Sequence, residues 1–533
     1  MKVNMSFSKI TSVINIVFLI ILENFAMDLG MGYFGISLLF MYLLYELLAG
    51  GVSSSIVKMV SARVGRDDTN GAARVFKAGL IYNLIVGGLV ILFGFLFGNP
   101  IFHALSGSSY FGPVLIVLSF VFLVDGFLNV MTAYYSGTKN DALNFLIRIL
   151  KTVLPIPVSF LILKVVSGYG RDVAALLKNP AVENAYFAIG ISFTYLLAFL
   201  IVFLVAVFIM LKNHELFSVS GHQYGMDSKF HMILNFMAVS VRYSIRNIIT
   251  LLALTFSILL YMALSLRHSG SSAAAVTTAG ILFTRVLLPF YLLATLFSEY
   301  CGRERNRLHM DFLKGENRIA CTRCQHMIKN TFFLFLPVAV ACTFLSEPIV
   351  KVFYTGKYSA SSVLLKKSGF LILCVGLCMT VIYILKGLTK ERTALSLQFA
   401  GLAAQMISMF FLYRHFDGKA ECIIFSFYIY YLVQIIPGFA IIFHEVRMNL
   451  LELLIKIGKY LLAALITTVL YVVLDRFIMM NVFLMILTFV MGYLVYYLTV
   501  IAVRGISKTD VQALKNTLAY LPVSFLTSRL HLW

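Results

Sequence analysis

Apolar residues fill this chain in long blocks separated by short polar connections, and the blocks lack the period-two alternation of a half-buried strand. A block of about twenty apolar residues crosses the ~30 Å hydrocarbon layer as a single helix. A backbone in lipid must satisfy its own hydrogen bonds, so the choice lies between helices and a closed barrel. These blocks are about twice the length of a barrel strand, and the pattern therefore predicts helices. The expected spans lie near Ser8–Ala26, Tyr33–Val57, Phe76–Gly98, Pro113–Ser136, Ala142–Val165 and Tyr186–Leu211. A second group lies near Ile233–Leu266, Ala273–Ser298, Asn330–Val352, Val363–Leu385, Thr393–Tyr413 and Cys422–Phe443, followed by Leu454–Leu474 and Asn481–Ile501. The fold class that follows is an all-α integral membrane protein of about fourteen transmembrane helices.

The connections give the spans a direction. With Lys2 and Lys9 placed in the cytoplasm, the even-numbered connections carry Lys58, Arg63, Arg66 and Arg74, then Lys139 and Arg148, then Lys212 and Lys229. The dense run Arg303, Arg305, Arg307, Lys314, Arg318 and Arg323 follows, then Lys390 with Arg392, and Arg447 with Lys456 and Lys459. The tail adds Arg504, Lys508 and Lys515. An excess of Lys and Arg on the cytoplasmic side orients membrane proteins, so both termini are expected there. Two connections run against the rule: Lys164/Arg171/Lys178 and Lys351/Lys357/Lys366/Lys367. The first apolar run has no small-x-small processing site behind it and is expected to stay attached as the first helix.

Composition narrows the function classes. The chain is 60% hydrophobic and 12% charged, about half the charged share of a soluble domain. Its formal net charge of +20 sits in short loops rather than on one polar face. The surplus therefore reads as topology and contact with anionic lipids, not as a nucleic-acid surface. Seven scattered cysteines suggest reduced thiols rather than a disulfide framework. Cys321-x-x-Cys324, with Cys301, His309 and His326 nearby, is at most a weak zinc candidate. Gly30-Met-Gly-Tyr-Phe-Gly35 matches a dinucleotide fingerprint in letters only: it follows no strand and opens a span, where small residues serve close helix packing. Gly50 and Gly51 are expected to pack closely or to bend helix two, and prolines 155, 157, 289, 337 and 437 fall inside spans, where they kink helices. The chain contains no P-loop, nucleophile elbow or H-E-x-x-H, and is read as a secondary transporter rather than an enzyme.

An internal repeat organises the spans. Gly98-Asn-Pro-Ile, an apolar helix and Gly137-Thr-Lys-Asn-Asp have counterparts in Ser346-Glu-Pro-Ile, an apolar helix and Gly387-Leu-Thr-Lys-Glu. Pro100 thus corresponds to Pro348 and Gly137 to Gly387; a further pairing sets Gly65-Arg66-Asp67 against Gly302-Arg303-Glu304. Six spans separate equivalent features, so they keep the same membrane side and the repeat is parallel, with a pseudo-two-fold axis along the membrane normal. The expected division is an N-lobe at 1–231, a C-lobe at 232–446, and two extra helices with a cytoplasmic tail at 447–533. Two six-helix lobes around a cavity, one rocking against the other, form a transporter layout.

Short motifs then give a family likeness. Met31-Gly-Tyr-Phe-Gly35, Val60-Ser-Ala-Arg-Val-Gly-Arg-Asp-Asp68, Thr284-Arg-Val-Leu-Leu-Pro289, Leu336-Pro-Val338 and Glu347-Pro-Ile-Val350 occur in this order. With them the chain resembles the multidrug/oligosaccharidyl-lipid/polysaccharide (MOP) exporter superfamily. Within it the chain is most similar to the MurJ-like, stage V sporulation protein B and Wzx flippases of lipid-linked oligosaccharides. The resemblance implies alternating-access movement of an undecaprenyl-pyrophosphate-linked oligosaccharide or peptidoglycan precursor to the outer leaflet of the bacterial cytoplasmic membrane. The implied partners are the lipid-linked glycan and membrane lipids, with no nucleic acid, no cofactor and a monomeric state.

Ionisable residues inside spans supply the candidate site, since each costs about 2.5–3.5 kcal/mol at a helix centre unless it meets a cavity or partner. Arg242 and Arg246 lie one turn apart in helix seven, and Arg285 near the middle of helix eight. Their guanidinium forks suit bidentate binding of a diphosphate, whereas Arg242 and Arg246 could instead snorkel to headgroups. Arg285 also aligns with an arginine that MurJ-like proteins place four residues before a helix-eight proline, here Pro289. The cavity arginines of that group in helices one and two are absent; Glu23 and Glu46 stand there instead, which puts lipid II itself as cargo in doubt. Glu46 and Asp125, with Glu23, are read either as a coupling site for H⁺ or Na⁺ or as counter-charges to Arg148 or Arg285. The competing classes are a multidrug or organic-cation antiporter on the same fold and a polytopic enzyme acting on lipid-linked sugars. A cation exporter should have an acidic, aromatic cavity, and the enzyme an acidic site on a large outer loop.

Overall fold

The computed structural model describes residues 2–25, 27–212, 229–269, 272–354, 358–475 and 482–505. All regular elements among the described residues are helical, and thirteen of these helices are long and apolar enough to span a membrane. The protein is a multi-pass membrane protein. Lys508 and Lys515 lie outside the described residues, as do 213–228, most of the loop between spans six and seven.

Two compact units emerge from packing. One runs Val17–Phe283 and the other joins Met1–Ile16 to Thr284–Trp533. The first contains the end of α1 (Lys2–Phe25), then α2 (Asp28–Ala49), α3 (Val52–Val64), α4 (Thr69–Ser106), α5 (Phe111–Gly137) and α6 (Asp141–Val153). It continues through α7 (Pro155–Leu177), α8 (Pro180–Lys212), α9 (Lys229–Asn247), α10 (Ile249–Ser269) and α11 (Ser272–Ile281). A π-helical turn, Leu282–Leu287, leads into the second unit. That unit contains α12 (Leu288–Leu313), α13 (Asn317–Phe344), α14 (Ser346–Phe353), α15 (Tyr358–Ser368) and α16 (Leu371–Gly387). It ends with α17 (Glu391–His415), α18 (Glu421–Val446), α19 (Leu450–Asp475) and α20 (Val482–Ala502). These units follow packing and are not divided at the expected positions 231 and 446.

The breaks between helices have local causes. The second span breaks at Gly50–Gly51 into α2 and α3. The loosened backbone is captured by neighbours: the Leu48 carbonyl accepts from Ser240 Oγ at 2.8 Å and Tyr82 Oη at 2.7 Å, and the Glu46 carbonyl accepts from Ser244 Oγ at 2.8 Å. Such capture is what allows a helix to break inside a bilayer. Span seven, expected as one helix over Ile233–Leu266, is two helices interrupted at Ile248; thirty-four residues exceed one crossing, and α9 carries the Ser240 and Ser244 hydroxyls to the α2 break. Pro155 begins α7, where its missing N–H is harmless.

The repeat is visible in turn geometry. After α5, Lys139 has φ 60° and Asn140 N–H donates to Tyr135 O at 2.9 Å; after α16, Thr389 has φ 62° and Lys390 N–H donates to Leu385 O at 2.9 Å. The left-handed residue and the six-to-one bond match the Schellman pattern of helix ends. Gly137 and Gly387 each sit where a Cβ would crowd a neighbouring helix, Val60 at 2.7 Å and Leu308 at 2.8 Å respectively. The second pairing is corrected. Gly302 lies inside α12 and ends nothing. The partner of the Asp67 turn (φ 57°) is Gly315 (φ 76°), and the same six-to-one bond follows each, Asp68 N–H to Arg63 O at 3.0 Å and Glu316 N–H to Asp311 O at 3.1 Å. Helices α4 and α13 then start two residues later, in the same register as Pro100 and Pro348.

In the two connections that ran against the positive-inside pattern, three of the cations are paired with carboxylates. Arg171 meets Glu183 at 3.5 Å, Lys351 meets Glu347 at 2.5 Å and Lys367 meets Glu421 at 2.5 Å. Lys357 lies outside the described residues. In the basic stretch Arg303–Arg323, helices α12 and α13 run on past the apolar segments, and Glu304 and Asp311 both accept from Arg323 at 2.8 Å.

Candidate functional site

In the unit Thr284–Trp533, Arg285 is 5% exposed and lies within the π-helical turn. The turn has a local cause. Pro289 lacks an N–H and its ring crowds the carbonyl four residues back, that of Arg285, so the ladder widens there. π-Turns of this kind occur frequently at functional sites. Arg285 Nη1 donates to Ser361 Oγ at 2.8 Å, and the guanidinium lies 5.2 Å from the centroid of the Tyr354 ring. A hydroxyl dipole and an aromatic face are thus among the groups that hold the buried cation.

In the unit Val17–Phe283, helix periodicity places Asp125, Asn129, Thr132 and Ser136 on one face of α5, and Asn144, Arg148 and Lys151 on one face of α6. Lys151 Nζ forms an ion pair with Asp125 and donates to Asn129 Oδ1 at 3.2 Å; Asn129 Nδ2 donates to Asp125 Oδ2 at 3.1 Å. Arg148 Nε donates to Asn144 Oδ1 at 2.9 Å, and Asn144 Nδ2 to Ser136 Oγ at 2.8 Å. Next to this face, Gly126 leaves room for Tyr45 Oη to donate to Asn83 Oδ1 at 3.2 Å; a Cβ there would lie 1.8 Å from Asn83 Oδ1.

The counter-charge assignment is therefore corrected. The partner of Asp125 is Lys151 rather than Arg148: Lys151 Nζ forms the ion pair, while Arg148 Nε donates to Asn144, one turn back on its own helix. Glu23 is buried on α1 at 2% exposure, and Glu46 is half-buried on α2. Arg242 is exposed on α9; the Arg246 side chain lies outside the described residues. Sequence reasoning missed Lys151, Asn129, Ser361 and Tyr354. Lys151 carried a signal, being a charge inside an expected span, but Ser361 and Tyr354 fell in a connection and carried none. Among the described residues no three His, Cys, Asp or Glu side chains gather to hold a metal, and the seven cysteines are free thiols.

Helices of spanning length and apolar composition, in two compact units, define a polytopic helical membrane protein. No family profile matches the sequence, and no curated protein does. Among solved structures, the chain is similar to lipid II flippase MurJ in an inward closed conformation, with a TM-score of 0.60 at 17% identity over 93% of this chain and 97% of that one. It is also similar to an inward-facing multidrug resistance MATE family transporter of the MOP superfamily, with a TM-score of 0.59 at 14% identity over 82% of this chain and 96% of that one. A third likeness is to a MOP superfamily transporter from Pyrococcus furiosus Vc1 whose binding pocket is described as reversed in polarity, with a TM-score of 0.54 at 16% identity over 84% and 96%. The fold is that of the MOP-type transporters and flippases.

Proposed function

We propose that the chain is a flippase that moves a polyprenyl-diphosphate-linked glycan across a bacterial cytoplasmic membrane by alternating access, with both termini in the cytoplasm. One observation carries the reading: a buried guanidinium, Arg285, sits in a π-turn, donating to Ser361 and lying over the Tyr354 ring. A cation kept at membrane depth at such cost is a functional group by default. An anionic headgroup is the ligand its planar fork suits best. Arg242 and Arg246 stay, on the sequence alone, as candidate contacts of an anionic headgroup. Glu23 and Glu46 are the carboxylates assigned to H⁺ or Na⁺ coupling, since Asp125 is engaged by Lys151.

The test is flipping of a fluorescent polyprenyl-diphosphate glycan in reconstituted vesicles. Arg285→Ala is expected to lower the rate by at least about a hundredfold, as loss of a charged group from a site does, while the melting temperature in detergent is retained. Wild-type flipping by that variant would remove Arg285 from the site. A second reading, an organic-cation antiporter, is favoured by the comparable likeness to the MATE transporter. In that case the wild-type protein would export a lipophilic cation against a proton or sodium gradient and leave the diphosphate lipid unmoved.

A further inference from the structure

The α5–α6 ladder holds two cations against one carboxylate. From the cytoplasmic-loop end of α6 it runs Asn144 to Ser136, Arg148 to Asn144, then Lys151 to Asn129 and Asp125. Ser136 Oγ and Thr132 Oγ1 donate to the carbonyls of Thr132 and Asn129 at 2.8 and 3.0 Å, so the hydroxyls of α5 are tied to their own helix. Arg148 is exposed and has a neutral acceptor on Nε. Lys151 is 26% and Asp125 16% exposed, and the ammonium also lies 5.4 Å from the centroid of the Phe199 ring. Two charges one turn apart would be costly against acyl chains, so the face that bears them opens onto water. Residues three apart on a helix hold their Cβ atoms about 5–6 Å from one another, a separation that two linked phosphates can bridge.

We propose that Arg148 and Lys151 form a diphosphate station, distinct from Arg285, at which headgroup oxygens replace Asp125 as the partner of Lys151. The inference rests on the flippase reading and adds a second place for its substrate. Asp125 keeps the ammonium neutralised while the station is empty, so the charge is never unpaired in the bilayer. An arriving phosphate, also an oxyanion, exchanges for the carboxylate without a net loss of ion pairs, and Arg148 supplies the fork for the neighbouring phosphate. Asn129, bonded to both members of the pair, keeps Asp125 in place when Lys151 turns to the ligand.

The test measures binding of farnesyl diphosphate, farnesol and inorganic pyrophosphate to the purified full-length protein in detergent. Farnesyl diphosphate is expected to bind and farnesol not. Asp125→Asn, which unmasks Lys151, should tighten binding by about tenfold, and Lys151→Met should weaken it by about tenfold, each the size of one charge-assisted hydrogen bond. Arg148→Gln should weaken it by about fivefold. Single variants strand a charge, so the double variant D125N/K151M, with two neutral near-isosteres, keeps the test open if either fails to fold. It should bind as weakly as Lys151→Met. A merely structural pair predicts the opposite: affinity unchanged in the double variant and no gain in Asp125→Asn, and either result overturns the proposal. Inorganic pyrophosphate binding as tightly as farnesyl diphosphate would also overturn it, by making the site one for free anions. Binding lost in Arg285→Ala but indifferent to Lys151 and Asp125 sinks the station and spares the flippase reading. Lys151-dependent binding in a protein that never flips the lipid does the reverse.

Discussion

Arg285 and Lys151 are both cations held inside spans, and they are stabilised in opposite ways. Lys151 is neutralised by a carboxylate, Asp125, and the pair shares Asn129. Arg285 has a serine hydroxyl and a tyrosine ring, and is more deeply buried, at 5% exposure. A matched pair lowers the electrostatic cost of each member, and removing one partner leaves the other exposed to the full desolvation penalty. Arg285 lies against a hydroxyl dipole and a ring face, and replacing it by an apolar side chain of similar length removes its desolvation cost along with those contacts. The contrast predicts different responses of the two cations to substitution.

The largest expected effect breaks the pair from one side. Lys151→Met should destabilise the protein by about 3 kcal/mol, the lower end for a broken buried pair because both groups are partly exposed. D125N/K151M should recover most of that loss, since no charge is stranded. Arg285→Met, by contrast, should leave stability within about 1 kcal/mol of wild type or slightly above it. Equilibrium unfolding of the three variants in mixed detergent micelles measures this directly. Equal losses in Lys151→Met and Arg285→Met would erase the distinction.

How much of this was legible in the sequence follows the same division. Spans were legible because bilayer thickness fixes their length, and the Lys139 and Thr389 turns were legible because Gly137 and Gly387 punctuate a repeat. The pairing of Gly65 with Gly302 failed because a glycine that ends one helix can lie inside another; only backbone conformation identifies Gly315 as the true counterpart. The break at Ile248 was hidden because no glycine or proline marks it in the sequence. Arg285 stood out as a charge in an apolar block. The partner of Asp125 did not, because hydropathy says which residues are in the membrane but not which faces of α5 and α6 meet.

Next in size is Ser361→Ala. It removes a 2.8 Å hydrogen bond from a buried charge and should cost about 1.5 kcal/mol, the low end for a bond to an ionised group. The same substitution in an Arg285→Met background should cost less than about 0.5 kcal/mol, because the coupling is gone. A cycle with no coupling would mean that Ser361 does not hold Arg285.

The smallest effect isolates the aromatic ring. Tyr354→Phe keeps the face that the guanidinium covers at 5.2 Å and should change stability by less than about 0.5 kcal/mol, whereas Tyr354→Leu should cost about 1 kcal/mol through the lost cation–π contact. Leucine also packs differently, so the ring's share is read as the coupling between Tyr354→Leu and Arg285→Met. Flipping rates add a second axis. If the ring positions the guanidinium for a headgroup, Tyr354→Leu should slow transport more than its small stability loss accounts for, and Tyr354→Phe should not. Equal rates in the two variants would leave the ring as packing, and Arg285 would then depend on Ser361 for its orientation.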